Sequence, residues 1–146
     1  VDTYKKSLLL DGTDDDVWLE LISMLESLGS YDIALKATLL AAEKLPKNKS
    51  IVLKLAYAYS ASPDTAVRNG ARAVETAQRL YKLSPEHHSA RIVAMSYAEN
   101  NQCDQAVEWI EKAEEMAREL PDNGDLLELL KRNREFFANN DPCRVP

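Results

Sequence analysis

The sequence predicts an all-α fold assembled from repeated helix pairs, and three observations carry that prediction. Apolar residues recur at spacings of three and four through most of the 146 residues, the period of one helix face, and no run alternates as a half-buried strand would. Glycine is sparse, with 4 in the chain, and Gly12, Gly29 and Gly124 fall between periodic segments where turns are needed. A phrase also returns. "ALKATLLAAEKLP", "AVETAQRLYKLSP" and "AVEWIEKAEEMARELP" each set alanines among longer side chains and close on a proline. Ala34 precedes Pro46 by 12 positions, as Ala73 precedes Pro85 by 12. Such self-similarity marks a repeat architecture.

Helices are expected at about 2–10, 15–28, 31–45, 49–61, 65–83, 87–100, 103–119 and 125–138. The first, in "YKKSLLLDGTD", is short and ends at Gly12. The second starts after "DGTDDD", whose acids can cap it before Val17 and favour its positive N-terminal end. Gly29 separates it from the third, and Pro46 in "LPKNKS" stops that one. In "SASPD", Ser62 and Pro63 read as cap and first-turn proline of the helix over 65–83. "LSPEHHS" and "LPDNGD" supply the later breaks. Connections this short imply antiparallel neighbours.

Taking Ala34, Ala73 and Ala106 as equivalent gives spacings of 39 and 33 residues. In Asp15 to Asn48, the residues Trp18, Leu21, Leu25, Gly29, Tyr31, Ala34, Ala41 and Pro46 resemble the signature of the tetratricopeptide repeat, a helix pair of about 34 residues. Leu55, Ala56, Tyr59, Ala73 and Pro85 match in Lys49 to Glu86, and Ala94, Tyr97, Ala106 and Ala113 from His87 onward. Departures are Ile22 for a small residue, Thr38 for an aromatic, Asn101 for the turn glycine, Cys103 for the turn aromatic, and Pro121 three positions late. The resemblance implies a right-handed α-solenoid of antiparallel helix pairs. Its expected parts are a truncated preceding repeat or N-terminal cap (1–14), repeats over 15–48, 49–86 and 87–121, a capping helix (122–139) and a tail (140–146).

Within each pair, large residues of the first helix (Trp18, Leu21, Leu25) are expected to insert against small ones of the second (Ala34, Ala41), so that the axes approach closely. The second repeat is five residues too long, the excess lying in "SASPDTAVRNGAR". An extra helical turn before Ala73 is expected there as a tolerated surface insertion, with a rim element presenting Arg68 and Arg72 as the alternative. In the capping helix, Leu126, Leu127, Leu130 and Phe137 should cover the last repeat, leaving Lys131, Arg132 and Arg134 in solvent.

Composition narrows the function classes. A formal charge of −6 opposes nucleic-acid binding, which needs basic patches. No apolar stretch reaches the length of a membrane span, and no secretory signal is visible, so the compartment is left between cytoplasm and periplasm. Cys103 and Cys143 lack a nearby CxxC partner. Two free thiols are expected, with a disulfide tying the tail to the last repeat as the alternative. His87 and His88 are adjacent, so they diverge on a helix instead of chelating one metal. The run Asp14-Asp15-Asp16 lacks the alternating ligand spacing of a calcium loop. No cofactor, metal or catalytic residue is expected.

The resemblance implies that the first helix of each pair lines a concave face that binds extended or helical peptides. Register places Asp16, Leu19, Ser23 and Glu26 there from the first repeat, Ser50, Leu53, Tyr57 and Ser60 from the second, and His88, Arg91, Met95 and Glu99 from the third. Leu53, Tyr57 and Met95 would form an apolar strip, Arg91 the anion partner and Tyr57 the anchor. Family members that clamp a chaperone's C-terminal carboxylate need basic and amide residues where this chain has Leu19, Ser23, Lys54, His88 and Ile92, so that activity is not expected. The expected function is a non-catalytic scaffold for a protein or peptide partner. The alternatives are a recruiting or structural arm of a larger multidomain enzyme and a self-assembling module, a homodimer included. The wording of "AVRNGARAVETAQRLYKLSP" resembles bacterial repeat proteins.

Overall fold

The structure, a computed structural model, describes residues 14–144. The helix expected over 2–10 lies outside them. Among the described residues there are seven helices and no strand: α1 (Asp15–Ser27), α2 (Tyr31–Lys44), α3 (Lys49–Ala61), α4 (Gly70–Leu83), α5 (His87–Glu99), α6 (Cys103–Arg118) and α7 (Gly124–Asn139).

Local chemistry explains most boundaries. The Asp14 carboxylate accepts from the backbone N–H of Asp16 at 3.1 Å and of Val17 at 3.4 Å, capping α1. Asn48 accepts from the Ile51 N–H at 3.1 Å and caps α3. Glu86 and Ser89 cap α5 reciprocally, each side chain meeting the other's backbone N–H. Gly29 turns at φ 75° between α1 and α2, and Asn101 takes φ 57° between α5 and α6. Asparagine thus fills the place of the expected turn glycine, because its short polar side chain tolerates the left-handed region.

Successive helices pack on one another, and α3 also packs on α5 and, less extensively, on α1. Trp18, Leu21 and Leu25 of α1 share a buried cluster with Ala34, Ala37 and Ala41 of α2. These alanines are 4%, 8% and 0% exposed in that order. Farther along, Ala106, Ala113 and Ala117 of α6 join Ile92, Val93 and Ala94 of α5 and Leu130 and Phe137 of α7 in the largest cluster. Polar links also join the elements: Asn48 donates to Asp15 at 2.9 Å, Arg79 to the Pro46 carbonyl at 3.2 Å, and Gln78 to the Tyr97 hydroxyl at 3.2 Å. Tyr81 of α4 meets Trp109 of α6 edge-on, ring centres 5.0 Å apart, and the Lys112 ammonium lies over both rings.

Three expectations are corrected. Residues 62–69 form turns instead of an added helical turn, and Asn69, not Ser62, caps α4 by accepting from the Arg72 N–H at 3.1 Å. Ser62 ends α3, held extended ahead of Pro63. Val67 is buried, and Arg68 turns inward, its Nε donating to the Ser62 carbonyl at 2.8 Å and its guanidinium 3.6 Å from the Glu99 carboxylate. Arg68 therefore presents nothing to a partner, whereas Arg72 is exposed. Cys103 and Cys143 are joined in a disulfide, not free. The tail returns across the end of α7 to bury Cys143 near the Ala98 carbonyl, which brings the two sulfurs together. Finally, Arg134 reaches back to the buried Glu114 at 3.2 Å, so of the three cations expected in solvent only Lys131 and Arg132 are fully exposed.

Candidate functional site

The residues expected on a shared face come from α1, α3 and α5, whose packing sets them side by side. Asp16, Leu19 and Ser23 line one open cleft on α1. Glu26 forms an ion pair with Lys54 of α3 at 2.7 Å and shares a second cleft with Tyr57. Ser50 and Leu53 of α3 share a third with His88, and Lys49 and Glu86 lie at its edge. Tyr57 is 44% exposed, and it lies close enough to Arg91 of α5 that a phenolate there would favour the charged guanidinium. Arg91 continues the line to α7, its Nε donating to the Asn133 side-chain oxygen at 2.9 Å.

Three of the expected residues do not reach this surface. Ser60 is buried, and its hydroxyl donates weakly to the Tyr57 carbonyl at 3.4 Å. Met95 is 5% exposed inside the α5–α6–α7 core, so the apolar strip is reduced to Leu53 and Tyr57 with Leu19 beyond them. The Glu99 side chain is 9% exposed because Arg68 and the 62–69 turns cover the end of α5. In each case a neighbouring element covers the position, which the register of a single helix cannot show.

Electrostatics set the protonation states. Burial chiefly, and then the charges of Arg91 and His87, hold the His88 imidazole below its ordinary pKa, with Glu86 opposing. His88 is therefore neutral at pH 7. Burial also draws the Arg91 guanidinium down from its usual value, with Tyr57 acting the other way. The Ser84 hydroxyl, donating at 2.7 Å, holds Glu86 below the ordinary carboxylate value.

No protein-family model matches this chain, and no curated protein matches it.

Sequence reasoning placed Lys54 at a groove position without its partner, and it missed Asn133. Lys54 neutralises Glu26 and so removes that carboxylate as a free contact. Asn133 had no signal at all, since α7 read as a cap and not as the fourth wall of the line. The acids Asp14, Asp15 and Asp16 do gather at the start of α1, but Asp14 is occupied in capping. Among the described residues, no helix is long and apolar enough to cross a membrane.

Proposed function

We propose that this chain is a tetratricopeptide-type α-solenoid acting as a non-catalytic protein-interaction scaffold, with a partner's peptide or helix bound along α1, α3 and α5. The observation that carries the reading is the row of solvent-reaching side chains Asp16, Leu19, Ser23, Ser50, Leu53, Tyr57 and His88 across helices packed in sequence order. A large, half-exposed tyrosine in such a row is the type of residue that anchors interfaces. The test is affinity capture from the source lysate with the chain as bait, beside a Tyr57→Ala/Arg91→Glu double variant. The reading expects a partner that is retained by the wild type and lost by the variant. Identical captures would refute it.

A second reading, self-assembly, has an observation of its own. Leu28, Ile33 and Leu40 are 67%, 51% and 53% exposed at the α1–α2 hairpin. The outer side of α7, by contrast, carries the exposed charges Glu128, Lys131, Arg132 and Glu135. Sedimentation equilibrium over a range of concentrations, with Ile33→Glu/Leu40→Glu as control, decides it: a species monomeric throughout would dismiss self-assembly.

A further inference from the structure

We infer that the corner formed by Tyr57, Arg91 and Asn133 receives a carboxylate side chain of the partner, and that the partner is a peptide carrying one Asp or Glu among apolar residues. This inference rests on the scaffold reading above and specifies the chemistry of its ligand.

Arg91 differs from the other lysine and arginine side chains of α1, α3 and α5: Lys54 is paired with Glu26, and Lys49 is exposed to solvent. Arg91 has no carboxylate partner among the described residues; its hydrogen bond is to the neutral amide of Asn133. A guanidinium has five donors in a rigid plane, and fixing Nε orients the plane while leaving the terminal nitrogens to offer a fork to an incoming carboxylate. Arg91 is also half-buried, so an ion pair made there is less screened than one in open solvent. Tyr57, near enough to act electrostatically on Arg91, brings a phenol donor and a ring face for an apolar neighbour.

The remainder of the face limits what else the ligand can be. Leu53 and Leu19 are half-buried apolar contacts along the same line. Glu26 already neutralises Lys54, and Lys49 is exposed at one end of the row, so Arg91 is the half-buried cation of α1, α3 and α5 that has no carboxylate partner among the described residues. A net charge of −6 on the whole chain repels a polyanion, whereas one carboxylate between apolar side chains meets local attraction without that penalty.

The test uses a random peptide library displayed on phage and selected on the full chain. Enriched peptides are then synthesised and measured by fluorescence anisotropy on the wild type, Arg91→Gln, Arg91→Lys and Tyr57→Ala. Each peptide is also made with its acid changed to the matching amide, so the comparison survives even where a protein variant folds poorly. The inference expects enrichment of an Asp or Glu flanked by apolar residues. Binding should weaken at least about tenfold on Arg91→Gln, and equally on amide substitution in the peptide, with partial recovery on Arg91→Lys. Peptides that lack an acid, or bind Arg91→Gln as well as the wild type, yet are lost on Tyr57→Ala, would overturn this inference and leave the scaffold reading standing. Peptides indifferent to all three variants would overturn both.

Discussion

Gly70 shows how one residue can reverse an expected substitution effect. In an exposed helix, glycine to alanine is stabilising by about 1 kcal/mol. A Cβ at Gly70, however, would lie 2.6 Å from the Asn100 Cα and 2.7 Å from its backbone nitrogen. Backbone atoms cannot rotate away as a side chain can, so Gly70→Ala is expected to destabilise by about 1–3 kcal/mol in urea denaturation. A gain in stability would show that α4 can slide from α5 at no cost. Ala106→Leu has the same expected sign and size, because Ala106 is fully buried where α6 meets its neighbours. An unchanged midpoint would contradict the close approach. The alanine was legible from its spacing, whereas the need for glycine at 70 was not, since its cause is a residue thirty positions later.

At the scale of the element, α5 joins stability to pH through its first turn. His88 lies below the ordinary imidazole pKa, so the unfolded chain takes up its proton first as pH falls. The associated stability is complete above about pH 6.5 and is lost as pH drops from there toward the depressed native value. Glu86 is also depressed, and its contribution is present above the ordinary glutamate range near pH 4.3 and lost as pH falls below it. The groups bearing on His88 are Glu86, His87 and Arg91, with Lys49 across the cleft. Thermal unfolding against pH should therefore show two separate declines, of which His88→Gln reduces the upper and Glu86→Gln the lower. A curve unchanged by either variant would contradict these assignments. The limits of α5 were legible because proline, serine and glutamate mark them locally; the histidine's environment was not, since α3 makes the cleft.

For the whole molecule, the disulfide matters most. It closes a span of 40 residues from the start of α6 to the tail, and cross-linking of that length stabilises by about 2–4 kcal/mol. Reduction, or Cys143→Ser, is expected to lower the urea midpoint by a corresponding amount, and Cys143→Ser should no longer respond to reductant. Equal midpoints for oxidised and reduced chain would mean that packing of Leu130 and Phe137 alone secures α7. The sequence by itself determined that the described residues are helical, where the seven described helices begin and end to within a few residues outside 62–69, and that Ala34, Ala41 and Ala106 are buried. Those properties follow from period, capping and proline placement, all local in the chain. Only the tertiary structure decided that Arg68 turns inward, that Ser60, Met95 and Glu99 are covered, that Arg91 meets Asn133, and that Cys103 meets Cys143. Each depends on which distant segment comes within a few ångströms, and no local pattern encodes that distance.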